Sequence, residues 1–343
     1  GVACAVSAAR AGARVLLVER KRDPGERLHT TGIVVKEAIG AIDAIAPMPA
    51  SIVRPIAGVR LHAPGGSSLA LDSPGYFFLA TDTPALMRWL GECARDAGVE
   101  LTLGEAWAGA ARIAGGWRTP AGRAASFVVG ADGPASRVAR DCGLGVNARF
   151  LFGAEAEICG ATLDEPDRLH CFLDAKRARG YLGWAFAGVD VVQVGLASSR
   201  AAHAPPPDLD DFLRTIAPRI GLVGGTVVAK RAGLIPVGGP VAPRAADRVL
   251  LVGDAAGLVS PLTAGGIHTA LDSGWRAGRA IASALGRDPG GPLVVDPPVP
   301  RFTVKRWMRR AYDVVQDDRL FDLAVRSASF ASLARRVFFH ARG

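Results

Sequence analysis

The sequence has 343 residues, 49% hydrophobic and 21% charged, with a formal charge of +9. That length supports a sizeable core in one large domain or two smaller ones. No run of 18 or more apolar residues is present, which excludes the signature of a membrane-spanning helix, and the opening residues read as helix rather than as a secretory leader. The positive charge is mostly Arg spread along an Ala- and Gly-rich chain, and no nucleic-acid-reading motif accompanies it, so nucleic acid is not an expected partner. Five cysteines (Cys4, Cys93, Cys142, Cys159, Cys171) are scattered without a CxxC pair and read as reduced core thiols of a cytoplasmic protein. The six histidines are dispersed, with no HxH or HxxxH, so no metal is expected; no GxSxG elbow points to a serine triad.

In chain order, Val2 to Ala11 reads as a small-residue helix closed by Gly12, and Arg14 to Glu19 as a buried parallel strand ending in an acid. A Gly-, Pro- and charge-rich loop spans Lys21 to Gly32. Alternation over Val59–His62 and Ser68–Leu71, around Pro64-Gly65-Gly66, predicts a hairpin. Thr83 to Ala97 is an amphipathic helix, with Thr83 as N-cap and Pro84 first in the helix. Ser126 to Gly130 is a second buried strand, and Leu151 to Gly195 carries several short strands. A loop at Pro205-Pro206-Pro207 precedes a helix from Leu209 to Ile220. Arg248 to Asp254 is a third buried strand, followed by a helix from about Gly265 to Leu285, a linker from Pro289 to Pro300, and a helical tail. The tail mixes Lys305, Arg306, Arg309 and Arg310 with Trp307, Phe321, Leu323 and Phe330. It reads first as helices packing an apolar face on the body, and second as a surface for an anionic membrane.

Three acids, Glu19, Asp132 and Asp254, each end an apolar strand, where ligands of parallel sheets gather. The first block is a helix beginning at Gly1, whose N–H groups would aim at a pyrophosphate, then Glu19, with Arg20 beside it, for the ribose hydroxyls. An acid there favours the free 2′-hydroxyl of FAD or NAD. The first two glycines of GxGxxG and the strand before them are not in the sequence, so the chain reads as starting about ten residues inside the motif. The second block is Gly130-Ala131-Asp132-Gly133-Pro134-Ala135-Ser136-Arg137, where Gly133 permits close approach of a phosphate. The first reads equally well as an ordinary helix–strand unit, and the second as a simple strand-to-helix turn. The third block is the specific one: Gly253-Asp254-Ala255-Ala256-Gly257-Leu258-Val259-Ser260-Pro261-Leu262-Thr263-Ala264-Gly265-Gly266-Ile267. Its acid can hold a ribityl hydroxyl, its small residues let a cofactor pass, and its Gly265-Gly266 pair opens a helix whose positive end faces a reduced flavin ring.

Together the blocks resemble the FAD fingerprints of the flavoprotein superfamily that includes p-hydroxybenzoate hydroxylase. The third block, continued by His268-Thr269-Ala270-Leu271, resembles the geranylgeranyl reductase family most, and the likeness runs from Gly1 to about Ile281. In that family an aromatic block of the form aromatic-x-Trp-x-Phe-Pro lines a prenyl pocket and precedes Gly-x-Gly. Tyr181-Leu182-Gly183-Trp184-Ala185-Phe186-Ala187 and Gly195-Leu196-Ala197 stand in those places. Alternation puts Leu182, Trp184 and Phe186 on one face and Tyr181 on the other, as a substrate wall or as ordinary sheet packing. The sequence departs from the family at Ala187 (Pro), at Ala197 (Gly) and at Leu182 (aromatic). Arg27-Leu28-His29-Thr30-Thr31-Gly32 stands where members carry Cys-Gly-Gly. His29 and His268 are candidate proton donors, each reading first as structural.

The expected fold is α/β: a three-layer FAD/NAD(P)-binding unit from residues 1–54, 81–144 and 231–286, a mainly antiparallel substrate domain from 55–80 and 145–230, and a linker and helical tail over 287–343. The resemblance implies an FAD-dependent reductase of an isoprenoid or similar apolar alkene, drawing electrons from NAD(P)H or a reduced carrier; the cysteines read as cytoplasmic, and peripheral contact with the inner face of a membrane is the second reading of the tail. A monooxygenase or an electron-transfer flavoprotein on the same scaffold are the alternatives.

Overall fold

The computed structural model describes residues 1–200, 206–287 and 291–339. Pro205 of the proline loop, residues 289–290 of the linker and the end of the tail from 340 lie outside the described residues. The helix Val2–Arg10 stops where expected. Gly12 takes φ +88°, its N–H donates to Ala9 O, and the Ala13 N–H donates to Ala8 O, so the last carbonyls are satisfied by a Schellman turn. The strand Leu16–Glu19 follows and pairs in parallel with Glu100–Leu103. It is less buried than its apolar run suggested. Leu17 packs on the first helix, whereas Leu16 and Val18 are 38% and 37% exposed, because among the described residues only one of its faces is covered.

A second parallel pair, Val128–Gly130 with Val249–Leu251, shows the layering directly. Leu250 points to one side, into a cluster with Cys4, Ala277 and Ile281 of the two flanking helices. Val249 and Leu251 point to the other, onto Trp117 of a three-stranded meander over Ala111–Ile113, Gly116–Arg118 and Ala124–Ala125. The indole of Trp117 donates to Arg248 O at 2.8 Å, which fixes the meander against the strand. Helix, parallel strand and meander therefore form the three expected layers.

The helix Ile267–Leu285 lies directly on Val2–Arg10. Two glycines one turn apart make the approach possible. A Cβ on Gly274 would stand 3.2 Å from Cys4 N, and one on Gly278 would collide with the Cys4 carbonyl oxygen and stand 2.8 Å from Ala8 N. The hydroxyl of Ser7 donates to Trp275 O at 2.6 Å across the same contact.

A seven-stranded sheet carries the rest, in the order Thr226–Pro236, Phe150–Cys159, Val191–Ser199, Gly183–Ala187, Arg168–Phe172, Gly58–His62, Ser68–Asp72. All neighbours are antiparallel except Arg168–Phe172 with Gly58–His62, and the hairpin of the last two strands is the one the alternation predicts. The outer face (Phe172, Val192, Val194, Leu196) is covered by Phe212 and Ile216 of the helix Leu209–Ile216. The inner face carries Leu61, Leu151, Trp184, Phe186 and Ala197, and meets Ile33 and Ala264.

Several local expectations change. The cap of helix Thr83–Asp96 is Asp82, whose carboxylate accepts from Ala85 N–H at 3.0 Å; Thr83 is already helical. The helix from Leu209 ends at Ile216 rather than Ile220, because Pro218 cannot continue it and residues 217–219 tighten into a 3-10 turn. Cys159 is exposed at the end of its strand and Cys142 is half-buried, so only Cys4, Cys93 and Cys171 are core thiols. In the tail, the helix Ala328–Phe338 packs Phe330, Ala331 and Ala334 on the body as expected. The helix Thr303–Val314 does the reverse. It buries Arg309 and exposes Val304, Trp307 and Val314, because polar bonds rather than apolar contacts hold it.

Gly278→Ala should force the two crossing helices apart and lower stability by about 1–3 kcal/mol. A lower denaturation midpoint at unchanged slope would show it; an unchanged midpoint would mean the contact can relax freely.

Candidate functional site

The three strand-end blocks meet. Gly1 precedes the first helix with no side-chain cap, and a Cβ there would sit 3.6 Å from Ala131 Cβ, beside the second block. Glu19 ends its strand with one oxygen accepting from Lys21 N–H at 2.9 Å, and Arg20 next to it is exposed. Asp132 is engaged within its own turn. It accepts from Arg137 N–H (2.7 Å), Val138 N–H (3.1 Å) and the Ser136 hydroxyl (2.6 Å), and Gly133 turns the chain at φ +81°. Through these three bonds its carboxylate shapes the entry to helix Arg137–Asp141.

The third block is built differently. Gly253 (φ +56°) and Gly257 (φ +69°) bracket a 3-10 turn, and a Cβ on Gly257 would strike the Gly239 carbonyl. Asn147, which the sequence reading passed over, donates to Pro134 O at 3.0 Å and Asp254 O at 2.8 Å, tying the second block to the third. The Asp254 carboxyl accepts no hydrogen bond from any described residue, and burial pushes it up to about 6. Beside it, a Cβ on Gly266 would stand 3.1 Å from Asp254 Oδ1. Gly266 also starts helix Ile267–Leu285 with no side-chain cap, leaving the first-turn N–H groups and their partial positive charge for an outside acceptor. Pro261 is buried, Gly265 is exposed, and Ala264 holds φ +51°, a left-handed conformation unusual outside glycine and typical of functional loops. Ile267 packs toward Val34 and Leu79, which orients the helix, and His268 beside it is half-buried.

One row crosses the inner face of the sheet: Arg231, Glu155, Gly195 and Trp184 on four adjacent strands. Gly195 is the enabling residue. A Cβ there would lie 2.5 Å from the Trp184 ring, so its absence lets the indole cross the strand and donate from Nε1 to Glu155 Oε2 at 2.8 Å. Burial raises the Glu155 carboxyl, against the pull of the indole N–H and of Arg231. Arg231 pairs with Glu157 and donates to Thr30 O at 3.0 Å, which clamps the loop carrying His29. His29 Nδ1 lies 2.7 Å from Ala232 O; a carbonyl only accepts, so Nδ1 carries the proton, and neutral His29 keeps Nε2 as its open nitrogen. Phe186 is fully buried on the same face. Tyr181 is there too, contrary to the alternation argument, because the strand begins only at Gly183. Its hydroxyl donates to Thr263 O at 2.6 Å and joins the wall to the third block. Glu155 and Glu157 left a signal that was passed over: two acids on the inward positions of an otherwise apolar strand.

His62 and His170, far apart in sequence, meet at 3.1 Å on the outer face, away from the crevice. Among the described residues no group of three or more His, Cys, Asp or Glu could hold a metal ion.

An orphaned carboxyl, an uncapped helix start and glycines where side chains would collide fit a hydroxyl-rich, anionic cofactor, and the fold and site define an FAD-dependent oxidoreductase. The model of the FAD binding domain matches residues 121–291. Digeranylgeranylglycerophospholipid reductase 2 of Methanopyrus kandleri is 31% identical over 312 residues, covering 84% of this chain and 76% of that protein. The enzyme of the same name from Methanosphaera stadtmanae is 29% identical over 83% of this chain and 76% of its own length. Among solved structures, a geranylgeranyl bacteriochlorophyll reductase-like protein from Thermoplasma acidophilum superposes with TM-score 0.81 at 21% identity, covering 99% of this chain and 94% of that one. The chain belongs to the geranylgeranyl reductase family of FAD-dependent oxidoreductases.

Gly195→Ala should displace the indole, break its bond to Glu155 and cost about 1–3 kcal/mol. A changed Trp emission spectrum together with a lowered melting temperature would show it; an unaltered spectrum would mean the ring does not depend on that space.

Proposed function

We propose that this protein reduces carbon–carbon double bonds of an isoprenoid chain, or of a similar apolar substrate, at the crevice between the third block and the aromatic wall. The observation that carries this is the Tyr181–Thr263 bond, which sets an apolar wall of Tyr181, Trp184 and Phe186, with Gly195 beneath the indole, against the loop that opens the Gly266 helix. The names of the relatives, reductases of a digeranylgeranyl lipid, point to the same substrate class. On this reading Gly1, Glu19, Arg20 and Gly133 serve the adenosine and pyrophosphate side, and Asp132 holds the turn that places Gly133 there. Gly253, Asp254, Gly257, Pro261, Gly265, Gly266 and Ile267 serve the ribityl chain and ring. Residues 1–54, 81–144 and 231–286 form the FAD unit, 55–80 and 145–230 the substrate unit, with strand Thr226–Pro236 crossing between them, and 287–343 the linker and tail.

Bound and reduced, FAD supplies the hydride that one alkene carbon receives. The other carbon needs a proton. His29 is the proposed donor: Ala232 O holds its Nδ1–H, so Nε2 faces the substrate side, takes up a proton from solvent to give the imidazolium, and passes that proton to the carbon, returning to the neutral ring. His268 stays a second candidate at the helix start. NAD(P)H or a reduced carrier restores the electrons. No helix of the described residues is long and apolar enough to cross a membrane. A lipid substrate then calls for peripheral contact, at the cytoplasmic face if the five unpaired cysteines reflect a reducing compartment.

Two outcomes test the assignment. The reduced protein, mixed anaerobically with a geranylgeranyl lipid, should reoxidise and yield the saturated product. His29→Gln should slow that step by about 10²- to 10⁴-fold at unchanged FAD content. Reoxidation only with O₂, coupled to hydroxylation, would replace the reading with a monooxygenase; no response to any small alkene would leave an electron-transfer flavoprotein.

The second outcome concerns pH. In the free protein Asp254 is protonated below about 6 and ionised above it. A ribityl hydroxyl donates best to the ionised form, so FAD affinity should weaken as pH falls through about 6. Fluorescence titration from pH 5 to 8 should show this fall (the window chosen to bracket that value), and Asp254→Asn should flatten it. A pH-independent affinity would remove Asp254 from the cofactor contacts.

A further inference from the structure

The helix Thr303–Val314 is inside out. Its inward side is polar: Arg309 is 2% exposed, and its Nη2 forms an ion pair with Asp313 at 2.8 Å and donates to the Ser199 hydroxyl at 3.1 Å. Arg149 reaches Asp313 at 2.7 Å, and the Tyr312 hydroxyl donates to Tyr181 O at 2.6 Å. These bonds fix the rotation of the helix, because turning it over would strip a buried guanidinium of its partners. Its outward side is Val304, Trp307, Ala311 and Val314, at the three- and four-residue spacing of one helical face. Val304, Trp307 and Val314 are 71%, 67% and 84% exposed. A soluble face of this kind is normally polar, and single exposed apolar residues do not line up in this way. The next helix, Asp318–Val325, adds Leu320 and Leu323, also exposed.

The charge around this face is one-sided. Residues 301–339 hold nine basic and four acidic side chains. The acids are already engaged: Asp313 with Arg149 and Arg309, Asp317 as a helix cap, Asp318 with Ala175 N–H and Asp322 with Gly65 N–H. Arg306, Arg310 and Arg319 form no ion pair with a described carboxylate, and Arg310 lies 5.4 Å over the Trp307 ring. An apolar stripe with a Trp, flanked by unpaired arginines, matches the acyl and headgroup levels of an anionic lipid surface.

We infer that the outward face of helix Thr303–Val314 is the surface by which this protein docks on an anionic bilayer. The contact sits next to the proposed pocket, since Tyr312 holds the carbonyl of Tyr181 and Gln316 accepts from Gly180 N–H at 2.7 Å. A lipid leaving the bilayer there would meet the aromatic wall first. The inference deepens the proposed lipid reductase and rests on it for its purpose, but vesicle binding is measured without turnover, so either can fail alone.

The test is co-sedimentation of the full-length protein with vesicles of phosphatidylglycerol and phosphatidylcholine, or of phosphatidylcholine alone. Binding should be at least about tenfold stronger to the anionic vesicles and should weaken with salt. The emission difference between the protein and Trp307→Phe should shift to the blue on binding. Val314→Asp, at an exposed position, should weaken binding about tenfold with FAD content and melting temperature unchanged; Arg306→Glu with Arg310→Glu gives the same readout should that variant fail to fold. Equal binding by all variants, or none by the unaltered protein, overturns the inference. So does a dimer that Val314→Asp dissociates, which would assign the face to a second copy of the chain.

Discussion

The site depends on one close contact, the crossing of helices Val2–Arg10 and Ile267–Leu285 at Gly274 and Gly278. Residues as far apart in sequence as Ser7 and Trp275, 268 positions, come within touching distance there because neither glycine carries a side chain. The crossing brings two helix starts, at Gly1 and Gly266, to the same side of the parallel strands. The Gly266 start lacks a side-chain cap, so it keeps donor groups and positive dipole for a ligand. Asp254 stands beside the second start, and no described residue donates to its carboxyl. A buried carboxyl without donors is unfavourable unless something else supplies them, and a cofactor with a hydroxylated chain is that supplier.

The other side of the crevice obeys a second constraint. Four adjacent strands align Arg231, Glu155, Gly195 and Trp184, and the glycine in that row makes room for a ring to lie flat across its neighbour. Burying Glu155 is costly, and the indole N–H and the Arg231 guanidinium offset that cost. The same Arg231 holds the His29 loop through Thr30. Wall and proton donor are therefore parts of one bonded unit, and the Tyr181 hydroxyl fastens that unit to the third block.

Much of this was legible in the sequence because it is local. The Gly253–Ile267 block, directly after the strand Val249–Leu251, declares a small-residue loop and a helix start within fifteen consecutive residues, and the fold and family follow from it. The parts that were not legible depend on partners distant in sequence. Asn147 gains its role only when Pro134 and Asp254 are both beside it. Tyr181 seemed to face away because alternation was extended two residues past the start of its strand at Gly183. Asp132 reads as a ligand by position, yet its oxygens are taken by the three donors of its own turn. The tail misled most. Composition says apolar residues face inward, but Arg309 found Asp313 and Ser199, and those bonds turned Trp307 and Val314 to the outside.

The most direct measurement is the visible absorption spectrum of the full-length protein purified without added cofactor, with the released chromophore identified after denaturation. Flavin bands that yield stoichiometric FAD, and that are lost in a Gly278→Ala and Asp254→Asn double variant, are what this account requires. A colourless protein that also takes up no added FAD would contradict it.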